Sequence, residues 1–360
     1  MRAPDGNRDP PLHSGSAPRW LFARMVRLGR AVLAALVEDI GPRGVLRRIS
    51  DPFWFQAFGC LLGFDWHSSG LTNTVCGALK EAVRGAERDL GLLVAGGKGR
   101  TARATPEEVR NYGDRLGVDA DALTRYSRLA AKVDSSAVQD GYDLYHHTLF
   151  ATLDGSWAVI QQGMRLQDRT ARRYHWLGEA VRSFVCEPHA AVCCDVRTPT
   201  LNLVAEEAQP VREAVVGLAR EHPERVLHEL PRVLVMPARH ALGPEDIHPG
   251  RLRTVLLRTY EAQAPDFEHL LELPGLGAKT LRALALLSEL LAGTPLSWRD
   301  PARYSFAHGG KDGHPYPVDR ATYDHTVAVL EDAVRRARTG ETDRLQALRR
   351  LHRFVRSTRP

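Results

Sequence analysis

Leu144-Tyr145-His146-His147-Thr148-Leu149-Phe150-Ala151-Thr152-Leu153, Asp154-Gly155, Ser156-Trp157-Ala158-Val159-Ile160-Gln161: two runs rich in apolar, β-branched and aromatic residues meet at a dipeptide favoured in tight turns. This pattern predicts a β-hairpin at about 144–162. Successive side chains of a strand face opposite sides, so His146 and His147 point apart and only one can join a given site.

Upstream, the apolar run Leu90 to Ala95 ends in Gly96-Gly97-Lys98-Gly99-Arg100, and Thr105-Pro106-Glu107-Glu108 announces a helix by a cap, a first-turn proline and early acids. Strand, glycine loop and helix in that order is an α/β signature. Earlier still, Trp20 to Leu33 sets Leu21, Met25, Leu28 and Val32 on one face, Asp51-Pro52 opens another helix, and Leu71 to Arg88 reads as a third. Residues 1–18 are rich in proline, glycine and serine and read as loose. Beyond about Asn202 every strong pattern is helical, with Arg197-Thr198-Pro199-Thr200 as a linker. The expectation is an α+β (or α/β) amino-terminal domain, 1–198, followed by an all-α domain, 199–360.

An apolar fraction of 43% and a charged fraction of 26% are those of a globular protein rather than a disordered or membrane one. No stretch approaches the ~20 apolar residues of a membrane span, and the first residues lack the apolar run of a secretion signal. Five cysteines without regular spacing read as thiols. A cytoplasmic protein is expected, nucleoid-associated if prokaryotic. The net charge is +6, yet residues 335–360 alone carry nine arginines against Glu341 and Asp343. Leu345, Leu348 and Leu351 would turn the apolar face of that basic helix inward and leave arginines for phosphates.

The second decisive stretch is Leu273-Pro274-Gly275-Leu276-Gly277-Ala278-Lys279-Thr280. Phe267, Leu270 and Leu271 mark one helix before it, and Leu281, Leu284, Ala285, Ser288 and Leu291 mark another after it, a helix-hairpin-helix at 266–291. Glycines leave no side chain between main chain and phosphate, and the following helix presents first-turn amides. Leu273, Pro274, Gly275, Leu276, Gly277, Lys279 and Thr280 are therefore expected to grip a nucleic-acid backbone, DNA above all, without reading its sequence. Lys98 in its glycine loop and Lys311 in His308-Gly309-Gly310-Lys311-Asp312-Gly313-His314 are further basic contacts.

This segment resembles the hairpin of endonuclease III-type DNA glycosylases. The resemblance implies that Lys279 acts as a Schiff-base nucleophile with an aspartate about twenty residues later. Asp300 has the spacing, while Asp319, in Pro317-Val318-Asp319-Arg320 at a helix start, has the context. Over its length the chain also resembles an archaeal and bacterial family classed as domain of unknown function 763. That resemblance rests on Ser16-Ala17-Pro18-Arg19-Trp20-Leu21, Asp51-Pro52-Phe53-Trp54-Phe55-Gln56, Asp65-Trp66-His67-Ser68-Ser69-Gly70, Asp140-Gly141-Tyr142-Asp143-Leu144-Tyr145-His146-His147 and Tyr304-Ser305-Phe306-Ala307-His308-Gly309-Gly310-Lys311-Asp312-Gly313, and implies no particular reaction.

Alternative chemistry gathers near the sheet. Asp134, Asp140, His146 and Asp154 are carboxylates and an imidazole of the kind that hold Mg2+ or Mn2+ in a nuclease. Cys186, His189, Cys193 and Cys194 lack the spacing of a zinc site, and Gly96–Arg100 lacks that of a nucleotide-binding loop. The reading is a DNA-binding, DNA-processing protein of repair or genome maintenance with glycosylase/lyase chemistry. Its alternatives are a metal-dependent nuclease centred in the amino-terminal domain and a non-enzymatic DNA-binding accessory protein.

Overall fold

The computed structural model describes residues 18–64, 70–167, 170–194, 196–234, 249–303 and 320–358. Its helices are α1 (Arg19–Ser50), α2 (Pro52–Leu62), α3 (Gly70–Val83), α4 (Glu87–Leu90), α5 (Arg100–Arg103), α6 (Thr105–Leu116), α7 (Ala120–Lys132), α8 (Gln209–Ala219), α9 (Pro223–Leu234), α10 (Pro249–Ala262), α11 (Phe267–Glu272), α12 (Ala278–Ala292), α13 (Arg320–Arg336) and α14 (Glu341–Thr358). Its strands are β1 (Leu92–Lys98), β2 (Val138–Gln139), β3 (Asp143–Thr152), β4 (Trp157–Arg165), β5 (Thr170–Leu177), β6 (Ala191–Cys193) and β7 (Leu201–Asn202).

Five strands form one sheet in the order β1-β3-β4-β5-β6, and every neighbouring pair is antiparallel; β2 pairs separately with β7. The α/β expectation for β1 is therefore corrected to α+β. The strand does lead into helices, but the next strand of the sheet returns antiparallel beside it rather than by a parallel crossover. Gly96 and Gly97, expected in a loop, lie inside β1 at φ +96° and +145°. A Cβ on Gly96 would stand 2.3 Å from the His147 carbonyl oxygen, so glycine is what lets the two strands approach there. The helix expected over 71–88 ends at Val83, and Gly85, at φ +78°, carries the chain into α4.

Both faces of the sheet are covered, which is why β4 and β5 are buried almost throughout. One core packs Leu149, Val159, Tyr174 and Trp176 against α6, α7 and the helices from α8 to α12. The other packs Phe150, Ala158 and Ile160 against α1, α2, α3, α13 and α14. Each core draws on residues from either side of 198. Arg197–Thr200, read as a linker, is tied down: the Thr198 amide donates to Asp300 at 2.8 Å and the Thr200 amide to the Trp298 carbonyl at 3.3 Å.

The basic tail is an integral helix. Ala347, Leu351, Phe354 and Val355 enter the second core, whereas Leu345 stays 45% exposed. Arg336 pairs with Asp39 and Asp332, Arg344 with Glu341, and Arg350 donates to the Leu61 carbonyl. These contacts neutralise or occupy part of the positive charge the tail was expected to offer to phosphate.

Candidate nucleic-acid interface

The Asp266 side chain caps α11 by accepting from the His269 amide at 2.9 Å, and Phe267, Leu270 and Leu271 are buried behind it. Gly275 turns the chain at φ +86°, and the fully buried Leu276 anchors the turn. Gly277 opens α12 with no side chain over its amides. Pro274, Gly275 and Lys279 are exposed, Leu273 and Gly277 half-exposed, and Thr280 faces inward. Most of the expected phosphate contacts thus reach the surface, while Leu276 and Thr280 hold the hairpin in place.

The hairpin is fastened to the end of α7 and the strand beyond it. Lys132 Nζ donates to the Leu276 carbonyl, Gln139 Nε2 to the Ala278 carbonyl at 2.8 Å, and Arg282 Nε to Gln139 Oε1 at 2.6 Å. Arg125 bridges Glu268 and Glu272 at 2.8 and 2.5 Å. Burial lowers the Lys132 pKa from its usual value.

A groove of about 540 Å³ runs between the hairpin residues Leu273 and Pro274 and the outer face of α7. It adjoins, through Arg128, Ala131 and Ser135, a second pocket of about 470 Å³ bounded by Arg103, Tyr145 and His147. Arg103, Arg110, Arg125, Arg128 and Lys132 line the pair of cavities against two carboxylates, Asp121 and Glu272. Lys98 stands exposed at the end of β1, 5.7 Å from the centre of the Tyr145 ring at the rim.

Ser127 is in the wall of the second pocket and begins a buried polar chain. Its Oγ is 2.7 Å from His147 Nε2, and His147 Nδ1 is 3.0 Å from Gln161 Oε1. Gln161 Nε2 donates to Asp134 Oδ2 at 2.5 Å, which also accepts from Trp176 Nε1 at 2.9 Å. Asp134 Oδ1 lies 2.5 Å from His189 Nε2. The parts come from α7, β3, β4, β5 and the π-helical turn Val133–Ala137 that carries Asp134. Such single π turns interrupt regular helices and often occur at functional sites. Burial lowers the His147 pKa, so its ring is neutral at pH 7.

Of the other residues expected in a centre, Asp140, Asp154 and Asp300 lie elsewhere, while His146 also borders the second pocket. Asp140 and Asp300 both grip the fully buried Arg172, at 2.9 and 2.7 Å. Asp154 shapes the β3–β4 turn and pairs with exposed Arg43 at 2.7 Å; the Thr152 hydroxyl and the turn backbone hold its carboxyl down at about 2. His146 lies on the opposite face of the sheet from His147, bonded to Thr148 at 2.8 Å. Asp319 and Lys311 fall outside the described residues. Among the described residues no group of three or more His, Cys, Asp or Glu side chains is arranged to hold a metal ion, and all five cysteines are free. No helix there is long and apolar enough to cross a membrane. Ser127 and Gln161 were not singled out from sequence, and His189 was weighed only as a zinc ligand; the one signal available was that Gln161 lies across the hairpin from the paired histidines.

A protein-family model described as "protein of unknown function (DUF763)" matches residues 6–318, a span that holds the hairpin, the groove and the Ser127–Asp134 chain and ends before α13. No curated protein and no solved structure matches the chain.

Proposed function

The chain belongs to the DUF763 family, and we propose that it binds DNA through the phosphate backbone, with the helix-hairpin-helix at 266–291 as the grip. One observation carries this reading: the exposed hairpin tip stands at one end of a groove whose cations outnumber its carboxylates and which leads to a polar pocket. Main-chain amides at Gly277 and the first turn of α12 meet one phosphate, with Lys279 beside it. Arg128, which has no hydrogen-bond or ion-pair partner among the described residues, meets a later one. This contact set reads charge and spacing, so binding is independent of base sequence.

The resemblance of the hairpin to endonuclease III-type glycosylases supports a role in processing DNA, in repair or genome maintenance. Lys279 is then the amine of a lyase step, and borohydride trapping on abasic duplex in EDTA, lost in Lys279→Ala, tests that version.

Gly277→Val tests the grip. Its φ of −123° is ordinary for valine and a Cβ there meets nothing within 4 Å, so the fold is kept while the side chain screens the amides. Fluorescence anisotropy with a labelled duplex should show affinity falling at least about tenfold, the scale of one lost charge-assisted contact. Arg128→Ala should reduce the slope of log K against log salt by about one. Unchanged affinity in the first variant together with an unchanged slope in the second would refute the reading.

A further inference from the structure

The hydrogens of the chain under the groove have determined directions. An indole nitrogen only donates, so Asp134 Oδ2 accepts from Trp176, and the amide nitrogen of Gln161 is the group that faces the same carboxylate. The carbonyl oxygen of Gln161 therefore faces His147 and accepts from Nδ1–H. His147 Nε2 is left with its lone pair, 2.7 Å from Ser127 Oγ, so the hydroxyl must donate to it. A serine hydroxyl that donates to a neutral imidazole, whose far nitrogen is held by an oriented acceptor, is an activated nucleophile. The neutral ring is what burial of His147 produces.

We propose that Ser127 is the nucleophile, and His147 the base, of a phosphodiester-cleaving site in the wall of the second pocket, working without a metal ion. The phosphodiester class rests on the DNA-binding reading above; the nucleophile does not. Ser127 Oγ attacks phosphorus, its proton passing to His147 Nε2, and the bond from phosphorus to the leaving oxygen breaks as His147 returns that proton to it. Water then attacks the phosphoserine, giving its proton to His147. The bond from phosphorus to Oγ breaks, and His147 reprotonates Ser127. Two guanidinium groups border the pocket, Arg103 and Arg128, and face the phosphoryl oxygens. Gln161 and Asp134 are positioning residues that fix the tautomer.

The test uses the full chain and two probes that need no groove binding: a fluorophosphonate read by intact mass, and bis(p-nitrophenyl) phosphate read by absorbance, both in EDTA. One adduct per chain, mapped to Ser127, is expected, with slow turnover of the diester. Ser127→Ala should lose the adduct, while its duplex affinity stays within about twofold. His147→Gln keeps a hydrogen-bonding side chain but cannot take the proton, and should slow labelling at least about 100-fold, the lower end of a general base's contribution. An unmodified wild-type chain overturns the proposal, as do equal labelling of Ser127→Ala or a metal requirement for either probe. Labelling with no duplex binding would instead overturn only the DNA-binding reading and the substrate class drawn from it.

Discussion

Replacing Arg172 by methionine is expected to lower the stability of the fold by about 3–5 kcal/mol, the cost of removing one member of a fully buried ion-pair network. The guanidinium is completely buried between Asp140 and Asp300, with the Tyr142 ring 4.7 Å from it. Asp140 further accepts from the Tyr174 hydroxyl at 2.6 Å and the Tyr142 amide at 3.0 Å; Asp300 accepts from the Thr198 and Ala302 amides at 2.8 Å each. These neutral donors remain in the variant, but the cation that offsets two buried carboxylates is gone. Burial raises the Asp140 pKa even with Arg172 opposing it. In Arg172→Met that opposition vanishes, so the folded state binds a proton more readily than the unfolded chain, and the deficit narrows as pH falls from 7 toward 5. Urea unfolding followed by circular dichroism measures both effects. A loss below about 1 kcal/mol at pH 7, or a deficit that widens in acid, would show that Arg172 is not what holds the 298–303 segment on the sheet. Adding Asp140→Asn and Asp300→Asn should recover part of the loss.

That network shows where reading the sequence stops. The β3–β4 hairpin and the pair α11–α12 are local: alternation about Asp154-Gly155, and leucine spacing about Pro274-Gly275, specify them within thirty residues. Register was already harder. A two-residue turn at Asp154-Gly155 would set His147 opposite Gln162, whereas the hairpin closes over Leu153–Ser156 and sets it opposite Gln161. One residue of slip decides which glutamine meets which histidine, and hence whether the chain to Asp134 exists. Arg172 and Arg173 are charged residues of a kind usually left in water, yet both are buried because helices cover both faces. Helices α1, α2 and α3, from far earlier in the chain, cover one face of the sheet, with α13 and α14 packed behind them. Ser127 gave no signal because a serine in a helix is ordinary; its role depends on a histidine twenty residues away in sequence. The two helices and the turn between them at 267–292 were legible, and the groove beside them was not.

Acid should unfold this protein well above the pH at which its carboxylates alone would account for it. Three buried histidines disfavour their protonated forms. Burial, then the neighbouring His147 and Lys98, lowers His146 to about 3. Burial lowers His147, and burial with the Arg173 cation lowers His175 well below the usual value. The last case is enforced by geometry, since Arg173 Nε–H donates to His175 Nε2 at 2.8 Å and that nitrogen must keep its lone pair. The folded-state pKa of each is depressed below the ~6.5 of an unfolded histidine. Above about pH 6.5 both states are neutral and stability is complete. As pH falls below that value the unfolded chain takes up protons that the folded chain refuses, and stability drops by up to about 1.4 kcal/mol per pH unit for each histidine. Three give roughly 4 kcal/mol per unit, and the raised Asp140 carboxyl opposes this by up to one proton in the lower part of the range. Across two units the loss is comparable with the whole stability of a typical domain, about 5–15 kcal/mol. Urea titrations at pH 7, 6 and 5 should therefore show unfolding coupled to the uptake of two to three protons, with collapse between roughly pH 4 and 5.5. His146→Gln should remove about one proton from that slope. A wild-type slope below one proton between pH 6 and 5 would mean that these imidazoles are reached by water, and that His147 is not the dry, neutral base on which activation of Ser127 depends.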